Sequence, residues 1–207
     1  IIINTQETPV FITTNANGFS PNGDGYLDSI EFNLMVGQKQ GIKNWSLKFI
    51  HQEKGLQYSL LGGTEIKDTV TWDGMTGKGP APQGYYYAEF SVEYENGNRP
   101  VEQSRKFRLD VSPPDLKLDL NPVPFSPDND GIDDELFINS KIEDLSPIAQ
   151  WQLKIEDPKG NDFKTFSGVG SPSSEIIWDG LSDTSELVQA AEDYAYEFML
   201  VDDLGNK

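Results

Sequence analysis

Apolar and polar residues alternate along this chain in short runs that do not lengthen into a helical stripe. In IEFNLMV, Ile30, Phe32, Leu34 and Val36 fall on one side, with Glu31 and Asn33 on the other. Trp45, Leu47 and Phe49 alternate with Ser46 and Lys48, and Trp151, Leu153 and Ile155 do the same in WQLKI. Tyr86, Ala88, Phe90, Val92 and Tyr94 share one face of YYAEFSVEY, and Phe107, Leu109 and Val111 alternate with charges in KFRLDV. A period of two is that of a half-buried strand. Gly, Pro, Asn and Asp fill the segments between, which is turn chemistry. Leu187 to Glu192 could hold one helical turn but reads better as a hairpin loop. The pattern predicts an all-β protein.

The runs also repeat. FSPNGDG starts at Phe19 and FSPDNDG at Phe125, and 125 − 19 = 106. The Trp-led strands at Trp45 and Trp151, and the WDG triplets at Trp72 and Trp178, have the same offset of 106. YYYAEF at Tyr85 aligns with YAYEFM at Tyr194, 109 apart, which predicts a three-residue insertion after the second WDG; GN recurs at Gly97 and Gly205. A period near 106 is too long for a solenoid and matches one β-sandwich of about 100 residues. The expectation is two tandem immunoglobulin-like sandwiches, residues 1–112 and 113–207, joined through the stiff VSPPDL linker of a rod-like tandem. At the same offset Phe107–Leu109 map onto Ile1–Ile3. Residues 1–4 then read as a strand of a preceding unit, or as a leader strand. Unit two stops at Lys207, before its own last strand is due, so the chain reads as a piece of a longer array. An open edge in unit two and a spare apolar strand at Ile1–Ile3 predict a head-to-tail contact between copies.

Composition narrows the function. Among 207 residues, 34 acidic side chains face 16 basic ones, a formal net charge of −18. That balance excludes a nucleic-acid face and disfavours anionic membrane surfaces, leaving divalent cations and basic or neutral partners. There is no cysteine, hence no disulfide framework or thiolate chemistry. No run is long enough for a membrane-spanning helix. With one histidine, His51, expected at a strand end in water, and no G-x-S-x-G, no catalytic set assembles and no catalytic residue is assigned.

The chemistry concentrates in the repeated acidic loop. Unit one offers Asn22, Asp24 and Asp28, and unit two Asp128, Asp130 and Asp134, with oxygen side chains at positions 1, 3 and 7 and Gly at position 4. Short oxygen side chains converging from a tight turn suit a hard cation such as calcium, with the carbonyls of Tyr26 and Ile132 as further ligands. The full EF-hand pattern is absent: Glu31 stands at position 10 of unit one and Phe137 at the equivalent place in unit two. Unit two, with three carboxylates, is the better calcium candidate. The competing reading is that Asp and Asn cap the turn by accepting from backbone amides, with no metal.

These landmarks resemble a known family. In unit one they are Phe19 to Gly25, Asp28, Trp72-Asp73-Gly74, Pro82, Gly84, Tyr85, Tyr87, Gly97 and Asn98. In unit two they are Phe125-Ser126-Pro127, Asp128, Asp130, Gly131, Asp134, Trp178-Asp179-Gly180, Tyr194, Tyr196, Gly205 and Asn206. Together they resemble the immunoglobulin-like domain of the bacterial flagellar hook-capping protein and the gliding-motility-associated C-terminal domains of exported bacterial proteins. Unit two departs at Gln189 to Asp193, which lacks the family's Pro and Gly. The resemblance implies a non-catalytic sandwich module of an exported protein, periplasmic, extracellular or at the cell surface, within a longer parent chain. The leading expectation is a structural spacer with calcium-stabilised loops. The alternative is a module that binds a protein or glycan partner, an adhesin or carbohydrate-binding domain using exposed aromatics such as those of Tyr85-Tyr86-Tyr87.

Overall fold

The computed structural model describes residues 8–207, so the Ile1–Ile3 segment and the head-to-tail contact expected of it lie outside the described residues. Contacts divide the chain at Val111 and Ser112. In chain order the first unit has β1 (Val10–Thr14), β2 (Gly18–Phe19), β3 (Ile30–Val36), β4 (Ile42–His51), β5 (Gly55–Gly62), β6 (Thr69–Trp72), β7 (Met75–Thr76), β8 (Gly79–Pro80), β9 (Gly84–Tyr94), β10 (Val101–Gln103) and β11 (Phe107–Leu109). The second has β12 (Asp115–Asn121), β13 (Leu136–Glu143), β14 (Ile148–Glu156), β15 (Asp162–Val169), β16 (Glu175–Trp178) and β17 (Ala195–Asp202).

Each unit is a sandwich of the immunoglobulin and fibronectin type III kind. In the first, a β1-β3-β6 sheet faces a second sheet ordered β2-β11-β9-β4-β5, with β10 added along β9. All pairs are antiparallel except β11 with β2. In the second, β12-β13-β16 faces β15-β14-β17. The period-two positions point inward as the sequence predicts. Ile30, Phe32, Leu34, Trp45, Leu47, Phe49, Tyr86, Ala88, Phe90, Val92 and Tyr94 are all buried, as are Phe107 and Leu109. Val111 is not; it lies at the surface where the unit ends. Trp72 centres the core, its ring stacked 4.3 Å from Phe49 and also meeting Phe19, Tyr86 and Phe107.

Register corrects one expectation. Leu47 pairs with Phe90 in the first unit and Leu153 with Phe198 in the second, and 198 − 90 = 108. The second unit therefore carries two extra residues, and Tyr194 is the counterpart of Tyr86 rather than of Tyr85. A run of three tyrosines allows that slip in an alignment; only the inward face fixes it. Tyr86 donates its hydroxyl proton to the carbonyl of Pro82, and burial pushes its pKa up to about 12. Tyr194 instead accepts from the amide of Gln189, so the turn without Pro and Gly is closed with the donor reversed. The stretch from Leu187 to Glu192 is a loop, as expected, and no helix occurs among the described residues.

His51 corrects a second expectation. It is 3% exposed, not in water. Its Nδ1 accepts from the amides of Glu53 and Lys54, and its Nε2 lies 3.0 Å from the carbonyl of Gln83. The amides require an unprotonated Nδ1, so Nε2 carries the hydrogen and donates it. The ring thus ties the β4–β5 turn to the start of β9.

Glu93, on the outer face of β9, accepts from Lys43, Asn44 and Arg99. The hydrogen bonds from Lys43 and then Asn44 hold its carboxyl down at about 2. A lowered carboxylate pKa contributes stability above its unfolded value and loses it as pH falls toward the folded one. Glu93→Gln should therefore flatten the fall in denaturation midpoint between about pH 5 and 3. Raised salt should shrink the difference, because Lys43 and Arg99 are exposed. An unchanged pH profile in Glu93→Gln would remove this assignment.

Candidate functional site

The two acidic loops are built alike, from the core outward. Phe19 is fully buried against Trp72, ring centroids 5.5 Å apart; Phe125 meets Trp178 at 5.3 Å. The next proline lies over the glycine of WDG. A Cβ on Gly74 would stand 3.0 Å from Pro21, and on Gly180 2.7 Å from Pro127, and both glycines have φ +77. FSP and WDG are thus two halves of one joint, which places each loop on its Trp. The joint has its own hydrogen bonds. Trp72 Nε1 donates to the carbonyl of Met75 and Asp73 accepts from the Met75 amide; Trp178, Leu181 and Asp179 repeat this.

Beyond the proline the chain alternates into the left-handed region. Gly23, Gly25 and Leu27 have positive φ, and so do Asn129, Gly131 and Asp133 at the same three places. Alternation of this kind turns successive amides toward one point, a nest for an anion. The anion is the loop's own last carboxylate. Asp28 accepts from Gly23 at 2.7 Å and Gly25 at 2.9 Å. Asp134 accepts from Asn129 at 2.6 Å and Gly131 at 2.8 Å. Two shorter turns complete each loop. Asn22 and Asp24 accept from the amides of Asp24 and Tyr26, and Asp128 and Asp130 from those of Asp130 and Ile132. The like charges hold together because each is matched to amide dipoles, and Asp28 and Asp134 act first as structural acceptors.

The loops differ at their first position. In unit one the Asn22 amide donates to the second oxygen of Asp24, 3.2 Å away, which closes the loop without a cation. In unit two Asp128 replaces that donor with a third carboxylate. Asp128, Asp130 and Asp134 then bring one oxygen each within 4.8 Å of one another, and Asp128 and Asp130 are exposed. The donor set of unit two fits a hard divalent cation; that of unit one lacks the third carboxylate. Tyr26 and Ile132 are exposed, and their amides are already used by Asp24 and Asp130.

The tyrosine triplet splits by face. Tyr86 belongs to the core and Tyr85 is 42% exposed. Two further features were not read from the sequence. Trp45 and Gly62 are cross-strand partners, as are Trp151 and Gly168, and each ring lies where a side chain on its glycine would be. Gly62 and Gly168 share the 106 offset, a signal that was available. The other is the extent of an apolar groove in unit two, of about 640 Å³, lined by Leu120, Phe125, Ile138, Trp178 and Tyr194 among others.

No family model matches the chain, and no curated protein matches it. Solved structures similar to it include a tetra-tandem repeat from the extending region of a large adhesion protein, at 14% identity and TM-score 0.39 over 96% of this chain and 47% of that one. They include fibronectin(III)-like modules of Clostridium thermocellum CbhA, at 16% and 0.35 over 95% of this chain and 88% of those. A 1.5-MDa bacterial ice-binding adhesin matches at 11% and 0.46, over 98% of this chain and 62% of that one. The chain spans about half to two thirds of the two adhesin chains.

Proposed function

We propose that this chain is a non-catalytic structural module, a spacer within an exported bacterial surface or appendage protein, and that calcium stiffens the acidic loop of its second unit. The observation that carries the reading is the repeated joint. FSP on WDG, the carboxylate in its nest of amides and the Trp over its glycine recur in both units, while the outward residues differ. Duplication has kept what makes a sandwich stable rather than one particular surface. The motif resemblance supports export. No helix among the described residues is long and apolar enough to cross a membrane.

Asp128, Asp130 and Asp134 would hold the cation, which would supply charge neutralisation to a loop that is already folded. Binding to the folded state alone raises stability by mass action, by about 2.7 kcal/mol at a hundredfold excess over the dissociation constant. The test is thermal unfolding in millimolar calcium and in EGTA. We expect a calcium-dependent rise in Tm that Asp130→Ala abolishes and Asp24→Ala leaves in place. Identical melts in calcium and EGTA would leave hydrogen-bonded turns and no metal.

A further inference from the structure

We propose that Asn22 is a modification site: it deamidates spontaneously through the amide of Gly23, and the aspartate produced gives the first acidic loop the side-chain set of the second. Three Asn-Gly steps occur in the chain, at Asn17, Asn22 and Asn96. Asn followed by Gly is the reactive case, because no side chain on the second residue obstructs its own amide nitrogen. The structure separates the three. Gly18 is buried in β2 and pairs with Arg108 of β11, whose amide donates to a carbonyl of Asn17, so that step is fixed in a sheet. Asn22 and Gly23 are exposed in a loop. Asn22 Oδ1 accepts from the amide of Asp24, two residues on, at 2.9 Å. A turn of this kind folds the side-chain carbonyl carbon over the amide between, here that of Gly23. The same bond polarises that carbonyl toward attack.

One restraint is in place. Gly23 donates its N–H to Asp28 at 2.7 Å, so the nitrogen is turned to the nest and not to Asn22. Ring closure waits for that bond to open. The Gly23 nitrogen then loses its proton to water and bonds to Asn22 Cγ. The Cγ–Nδ2 bond breaks, and the departing nitrogen takes up a proton and leaves as ammonia. Water opens the cyclic imide at either carbonyl, giving aspartate or isoaspartate.

Unit two shows that the aspartate fits. Asp128 stands at the Asn22 position and accepts from the Asp130 amide as Asn22 does from Asp24, and the same three places have positive φ. What is lost is the donor bond from the Asn22 side chain to Asp24. What appears is a third carboxylate beside Asp24 and Asp28. That this carboxylate would serve a cation rests on the calcium reading above.

The test is peptide mapping by mass spectrometry on the whole chain, aged at mildly alkaline pH and sampled over weeks. We expect Asn22 to show the mass change of amide to acid, Asn96 to show it as well, and Asn17 to stay intact. Asn96 is the internal control: it makes the same turn, accepting from Asn98, but Gly97 donates to the carbonyl of Tyr94 and Asp28 has no part in it. Asp28→Ala should speed conversion at Asn22 about tenfold, the worth of one charge-assisted hydrogen bond in an opening equilibrium, and leave the rate at Asn96 unchanged. Asn22→Asp, made directly, should keep Gly23 and Gly25 protected from amide exchange. An intact Asn22 in a chain whose Asn96 has converted, isoaspartate as the sole product, an unchanged rate in Asp28→Ala, or lost protection in Asn22→Asp would overturn the proposal. None of these readouts uses calcium, so their failure is distinct from a failure of the calcium melts.

Discussion

Trp72→Ala should cost the first sandwich about 4 kcal/mol, near the upper part of the range for deleting a large buried aromatic. The ring is 2% exposed and meets four aromatic neighbours, with Phe49 stacked at 4.3 Å. Its removal also takes away the surface on which FSP rests, so the acidic loop loses its anchor along with the core. Trp178→Ala should cost its own unit less, about 3 kcal/mol, at the lower end of that range. Trp178 has Phe125, Phe163 and Tyr194 around it at 5.3 to 6.4 Å, and one side opens on the groove. Amide exchange followed by mass spectrometry, read on peptides of each unit separately, measures both. Equal costs would mean that the groove does not loosen the second core.

Gly62→Val is expected to rival it, at about 3 kcal/mol or more. A Cβ at this position would lie 2.1 Å from the Trp45 ring, which no rotamer adjustment of valine relieves. Trp45 is buried and donates its Nε1 hydrogen to the carbonyl of Glu65 at 2.8 Å, so displacing it strands a buried donor as well. The aromatic covers its glycine partner across the strand pair, a stabilising device on an otherwise weak strand position. Gly168→Val should be milder, because Trp151 is only half-buried and the closest approach is 2.7 Å. Denaturation midpoints of the two variants, measured side by side, decide the ranking. Native-like stability in Gly62→Val would show that β5 can shift away from the ring.

Much of this architecture was legible in the sequence because a strand with one buried face writes its period directly into the chain. Ile30 to Val36 and Tyr86 to Tyr94 needed nothing more, and the repeat placed both loops. What failed did so for local reasons. His51 ends a strand, where exposure is the ordinary expectation, but its ring caps the turn that follows and is covered in doing so. The alignment slipped by one among Tyr85, Tyr86 and Tyr87 because all three are the same residue and only packing distinguishes them. The acidic loop was read by counting carboxylates. Their first task, accepting amides aimed by Gly23, Gly25 and Leu27 or by Asn129, Gly131 and Asp133, depends on backbone angles that composition does not display. The repeat offset indicated an open edge in unit two; that Phe125, Ile138, Trp178 and Tyr194 line one groove there depends on packing that the pattern does not display.

Each acidic loop is folded by its own hydrogen bonds, and in unit two we propose a cation in addition. Amide exchange at Gly23, Gly25, Asn129 and Gly131, in EGTA and then in calcium, tests this most directly. We predict that all four amides are protected in EGTA, although they sit in an exposed loop, because Asp28 and Asp134 accept from them. Calcium should slow Asn129 and Gly131 further and leave Gly23 and Gly25 unchanged. Exchange of all four at free-peptide rates in EGTA would contradict the account, since the carboxylates would then not be holding the loop.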